Sequence, residues 1–304
     1  MPSPWMNEML ALPRDLELQP GHTVADALDW LTPPEPPTGM VWEPDVVYGT
    51  AGSGGRDLTL HLYRPRDVAQ SRPAVVFIHG GGWAGGDPLL HVRHAAHLAA
   101  HGYTAATISY RLVDEARWPA ALEDAKCAVR WVRANAAAIG VDDTRIAVCG
   151  GSAGGHLSAM TALTPGLFEG SGGNETVPSY VSAALLLYPM TDMRAPGGEF
   201  GIQDVVHNFL GGSTDALYAE SSPQSYVARS APPIRTITGS EDPITPLPMI
   251  REFHRRLDEA GPPNDLLVYE GAGHMFDVLE QYAQRCMQDM LEFFDRHLKP
   301  DPST

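Results

Sequence analysis

The chain has 304 residues, with 21 Lys+Arg against 37 Asp+Glu and a formal net charge of −16. A surface this acidic disfavours nucleic acid and anionic membranes, and it reads as a solubility feature rather than as a sign of a cationic substrate. Cys127, Cys149 and Cys286 are scattered and odd in number, which gives neither a disulfide framework nor a zinc pattern.

In chain order, residues 1–44 read as an N-terminal arm. Val24, Ala27, Leu28 and Leu31 have helical spacing with Thr23 as N-cap, and Pro33 to Pro37 then stiffens the chain into an extended connector. Residues 45–64 predict a hairpin that turns at Gly52–Gly55, with Leu58, Leu60 and Leu62 alternating on one face. From residue 74 apolar runs alternate with helical patterns. Strands are expected at 74–78, 104–108, 146–149, 183–187, 234–238 and 266–269. Helices are expected at 90–100, 119–139, 247–260 and 278–298. Continuous apolar strands separated by helices imply one α/β domain, a mostly parallel sheet of about eight strands covered on both faces. Residues 189–231, rich in Gly, Ser, Pro and aromatics, interrupt this rhythm and read as a cap. The N-terminus lacks a basic start followed by an apolar h-region, and no apolar run reaches membrane-spanning length, so a cytoplasmic setting is expected.

The chemistry centres on Gly150-Gly151-Ser152-Ala153-Gly154, a G-x-S-x-G between the strand at 146–149 and a helical pattern. Such a turn exposes the serine hydroxyl and aims the Ala153 N–H and the helix N-terminus at a developing oxyanion. A serine nucleophile needs a base, and the base needs an acid that fixes its tautomer. Asp242 and His274 lie in loops directly after the strands at 234–238 and 266–269, in the order serine, acid, histidine. Glu241 and Asp192 are rival acids; Pro243, which can fix the turn, favours Asp242. His79-Gly80-Gly81-Gly82-Trp83 follows the strand at 74–78, and the Gly81 and Gly82 amides are candidate oxyanion donors beside Ala153. Trp83 either lines the acyl pocket or braces the loop. His91, His94, His97 and His101 recur in one helix and read as a solvated face; their spacing lacks the carboxylate of H-E-x-x-H. No metal and no organic cofactor are expected.

These motifs resemble the α/β-hydrolase superfamily, most closely the hormone-sensitive-lipase-like esterases and the feruloyl and acetyl-xylan esterase branch. The HGGG loop at 79–82, the segments at 110–112 and 118–124, G-x-S-A-G-G at 150–155, the run from Ser222-Pro223 to Pro233, and the histidine loop at 271–274 carry the likeness. The resemblance implies Ser152 as nucleophile, His274 as base and Asp242 as acid, with Gly81, Gly82 and Ala153 as oxyanion donors. It implies hydrolysis of small carboxylic esters through an acyl-enzyme. Amide or arylformamide hydrolysis and acyl transfer use the same triad, and a non-hydrolytic tailoring enzyme or ligand receptor on this fold is a third reading. A homodimer through an edge strand or helix is left open.

Overall fold

The computed structural model describes residues 4–19, 22–194 and 201–299. Its elements are α1 (Pro4–Ala11), β1 (Glu17–Gln19), β2 (His22–Thr23), α2 (Val24–Trp30), β3 (Met40–Thr50), β4 (Asp57–Pro65), β5 (Arg72–Ile78), α3 (Val92–Ala100), β6 (Thr104–Ile108) and α4 (Ala120–Ala134). They continue with β7 (Val141–Gly151), α5 (Ala153–Leu163), β8 (Ala183–Leu187), α6 (Ile202–Leu210), α7 (Asp215–Ser221), β9 (Ile234–Gly239), α8 (Leu247–Ala260), β10 (Asn264–Tyr269) and α9 (Glu280–Leu298). Eight strands form one sheet in the order β10-β9-β8-β7-β5-β6-β4-β3. The strands from β10 to β6 run parallel, while β4 is antiparallel to both β3 and β6.

The continuous apolar strands are explained by burial on both sides. On β5, Ala74, Val76 and Ile78 join a cluster with residues of α4, α5 and α8, whereas Val75 and Phe77 join one with α3 and α9. The same alternation separates Ile146 and Val148 from Ala147 and Cys149 on β7. The sheet therefore sits between two helical layers, as a parallel sheet requires.

In the arm, Thr23 caps α2 through a reciprocal capping box with Asp26. Met6, Val24, Leu28 and Leu31 pack with Leu89 and Leu90, and the Trp30 indole donates to the Leu90 carbonyl at 3.1 Å. The expected cap contains α6, α7 and a 3₁₀ turn at Pro223–Tyr226; residues 195–200 of it lie outside the described residues.

Two local expectations differ from the structure. The long helix expected over 119–139 ends at Ala134, and a separate 3₁₀ turn covers Ala136–Ile139 before Gly140 in the left-handed region. Of the four histidines near α3, His101 is exposed and His97 half-buried, but His91 and His94 do not belong to a solvated face. His91 and His94 are 3% and 0% exposed, because apolar residues surround much of α3 and its histidine-bearing side is also pressed onto the sheet at Phe77.

The tightest packing is where α5 begins. A Cβ on Gly154 would lie 1.9 Å from the Ile78 carbonyl oxygen and 2.6 Å from that of His79. Both obstacles are backbone, so Gly154→Ala should cost about 3 kcal/mol, the upper end for overpacking, and lower the calorimetric melting temperature by roughly 5–10 °C. Gly273→Ala, where the added methyl meets nothing within 4 Å, should leave it nearly unchanged.

Candidate active site

The loops after β5, β7, β9 and β10 converge at one end of the sheet. Ser152 terminates β7 with φ 55° and ψ −117°, a conformation uncommon for a residue with a Cβ. It persists because neighbours hold both sides of the turn. The Ser152 N–H donates to the Leu187 carbonyl of β8 at 2.9 Å, and the Ser152 carbonyl accepts from His156 N–H in α5. The hydroxyl is thereby lifted clear of the sheet at the start of a helix.

The acid and histidine loops are interlocked. Ser240 N–H donates to the Tyr269 carbonyl, Glu241 N–H to the Ala272 carbonyl, and Gly271 N–H to the Ser240 hydroxyl. This brings Asp242 Oδ2 to 2.7 Å from His274 Nδ1, and His274 Nε2 to 2.9 Å from Ser152 Oγ. A carboxylate beside Nδ1 favours the tautomer with its proton there, which leaves Nε2 free to accept from the serine hydroxyl. Asp242 is buried, yet Oδ1 accepts from the Ile244 and Thr245 N–H groups and Oδ2 also from the Thr245 hydroxyl. Burial pushes its pKa upward, but the bonds from His274 and Thr245 outweigh burial and hold the carboxyl below its ordinary range.

The rival acids are elsewhere. Glu241 is exposed, and Asp192 accepts from the Arg194 N–H and faces the Ser222 hydroxyl.

Gly81 and Gly82 adopt φ of +118° and +59° in the loop after β5, which places their backbone in a conformation that a side chain would resist. Among the described residues neither donates its N–H to a backbone carbonyl. Ala153 is the first residue of α5, where an N–H lacks an intrahelical acceptor. Trp83 is 3% exposed and stacks on Phe209 of α6 with centroids 4.2 Å apart, while meeting His156 edge-on at 5.2 Å. It packs the glycine loop against α6.

Sequence reasoning missed three supporting residues. His156 donates Nε2–H to the Ser221 carbonyl at 2.8 Å, tying the elbow helix to the end of α7. Tyr188, directly after β8, sets its ring edge-on to His274 at 4.7 Å and donates its hydroxyl to buried Asp277. Asp277, three residues beyond His274, offered a signal only through that proximity. A cavity of about 950 Å³ is lined by Leu28, Leu31, Trp42, His79, Gly86 and Tyr110 among others; Ser152, Asp242 and His274 do not border it.

A serine elbow at the end of β7, beneath a glycine loop from β5, is the arrangement of an α/β-hydrolase, and the eight-stranded sheet agrees. The chain belongs to the BD-FAE family, whose model matches residues 60–257. Esterase LipC of Mycobacterium tuberculosis is 33% identical over 232 residues, covering 73% of this chain and 57% of that protein. The chain likewise spans 61% of Esterase LipQ from the same organism. Ethyl acetate hydrolase of Pseudomonas putida is 28% identical over 287 residues, with 86% of each chain covered. The structure of propionate-bound Est2, a thermophilic esterase of Thermogutta terrifontis, matches with a TM-score of 0.73 and 31% identity, covering 87% of this chain and 97% of that one. No described helix is long and apolar enough to cross a membrane.

The lowered pKa of Asp242 makes stability depend on pH. Its ionised form adds stability that is complete above the unfolded carboxyl value, about 3.9, and is lost as pH falls through the lower folded value. Calorimetry below about pH 4 should therefore show a shallower fall in melting temperature for Asp242→Asn than for the wild type.

Proposed function

We propose that this protein hydrolyses carboxylic esters of small acyl groups through a serine acyl-enzyme. The observation that carries the reading is the continuous relay from Asp242 through His274 to Ser152, at 2.7 and 2.9 Å. Ser152 Oγ attacks the ester carbonyl while His274 Nε2 takes its proton, and Asp242 stabilises the imidazolium and its orientation. The N–H groups of Gly81, Gly82 and Ala153 receive the oxyanion, each worth about 3–4 kcal/mol in the transition state. His274 then protonates the departing alkoxide. Water attacks the acyl-enzyme with His274 again as base, and Ser152 leaves with the returned proton.

The named activities of LipC and ethyl acetate hydrolase support ester substrates, and the propionate and butyrate complexes of Est2 support short acyl groups. A cytoplasmic setting fits three cysteines that are free and buried.

Turnover of short aryl esters and labelling by a fluorophosphonate probe test the assignment. Ser152→Ala should take no label and lose roughly 10⁶-fold in kcat. Asp242→Asn should lose about 10⁴-fold, while Glu241→Gln stays within about twofold. Persistent turnover by Ser152→Ala, or a larger loss in Glu241→Gln than in Asp242→Asn, would overturn it.

A further inference from the structure

Beneath the catalytic histidine loop lies a second polar cluster that ester hydrolysis does not use. His91 ends the 3₁₀ turn after the glycine loop, His94 lies within the next turn on α3, and Asp277 follows the histidine loop. All three are buried, at 3%, 0% and 1% exposure. One donor atom from each falls within 4.8 Å of the other two. His94 Nε2 is 3.5 Å from Asp277 Oδ2, and the two Nδ1 atoms of His91 and His94 are 3.4 Å apart. Phe77 and Trp30 wall the cluster with aromatic rings.

The hydrogen bonding of this cluster does not close by itself. Among the described residues His94 Nε2 and Asp277 Oδ2 have no hydrogen-bond partner, and His91 Nε2 makes no well-formed bond although the Ile78 carbonyl lies beside the His91 ring. No described lysine or arginine comes within 4.0 Å of the Asp277 carboxylate, whose sole ion-pair contact is His94. A neutral imidazole carries one N–H. If His94 uses it toward His91, its Nε2 turns a lone pair to a carboxylate oxygen, and two electron-rich atoms face each other. If the proton is instead on Nε2, a 3.5 Å separation is too long for a good bond and the carboxylate oxygen stays under-satisfied. A cation between them resolves either case.

We propose that His91, His94 and Asp277 form a buried site for one divalent transition-metal ion of the zinc class. The 3.5 Å between His94 Nε2 and Asp277 Oδ2 is close to the edge of a tetrahedron with bonds of about 2.0–2.2 Å. His91 offers the third donor atom, within 4.8 Å of the other two. Two imidazoles with a single carboxylate suit zinc, cobalt or nickel, whereas calcium and magnesium favour oxygen donors. Tyr188 completes the surroundings by donating to the other Asp277 oxygen. The ion takes no part in ester cleavage. It ties α3, which follows the glycine loop, to the segment carrying His274.

The test uses the full chain with any affinity tag removed. Protein incubated with Zn²⁺ and passed through gel filtration is analysed for metal, and melting temperature is compared with and without EDTA. The proposal expects about one equivalent per chain, a melting temperature that falls on chelation and returns with Zn²⁺, and neither property in His94→Gln or Asp277→Asn. Tyr188→Phe should weaken affinity about 10- to 100-fold, while His274→Ala retains the ion, separating this site from the catalytic imidazole. Where a ligand variant fails to fold, the visible absorption of the wild-type Co²⁺ complex reads the coordination directly. Absence of retained metal in the wild type, equal retention by Asp277→Asn, or a Co²⁺ spectrum without nitrogen ligation would overturn the proposal.

Discussion

The close approach of β5 and β7 at their C-terminal ends is the constraint on which the site depends. Gly154 sits with no room for a Cβ above the Ile78 and His79 carbonyls, and this contact sets where α5 begins. The helix start in turn fixes the Ala153 amide and the strained Ser152. Because β5 lies beside β7 in the sheet, the glycine loop after β5 necessarily arrives next to the serine. A larger residue at the crossing would move the glycine loop and the Ala153 amide away from the Ser152 hydroxyl.

The acid lies farther away, across β8, and reaches the serine through the histidine. Only a precise relay bridges that distance, and each of its buried members is satisfied. Asp242 accepts from two backbone amides, the Thr245 hydroxyl and His274. These bonds offset the cost of burying a carboxylate and leave it a single usable orientation. The edge-on Tyr188 ring limits the imidazole from another side. Pre-organisation here comes from hydrogen bonds within loops that are themselves anchored to strand ends.

Most strands were legible because burial on both faces demands unbroken apolar runs, as at Val75–Ile78 and Ala183–Leu187. The glycine-flanked serine and histidine were legible because tight turns restrict residue choice. The beginning of β7 was not: Asp142, Asp143 and Thr144 are polar, and their inclusion follows from tertiary pairing rather than composition. Neither was the interior of α4, where Lys126 and Arg130 are buried by long-range bonds to the carbonyls of Leu167, Glu169 and Gly173. Helical periodicity reports which side chains are apolar, and it is silent on polar ones that find partners far along the chain.

The same limit explains the histidines of α3. Spacing alone made them a solvent-facing stripe, since imidazole is common on surfaces. The structure turns two of them toward Asp277, a residue more than 180 positions away in sequence. Burying two imidazoles and a carboxylate costs stability unless each polar atom has a partner. An apolar set of similar volume would pack there without that cost, as it does around Val92 and Leu98 on the same helix. A cluster that buries three polar atoms without well-formed bonds is therefore a poor design for packing alone, and its placement behind Tyr188 puts whatever neutralises it one side chain from the His274 imidazole.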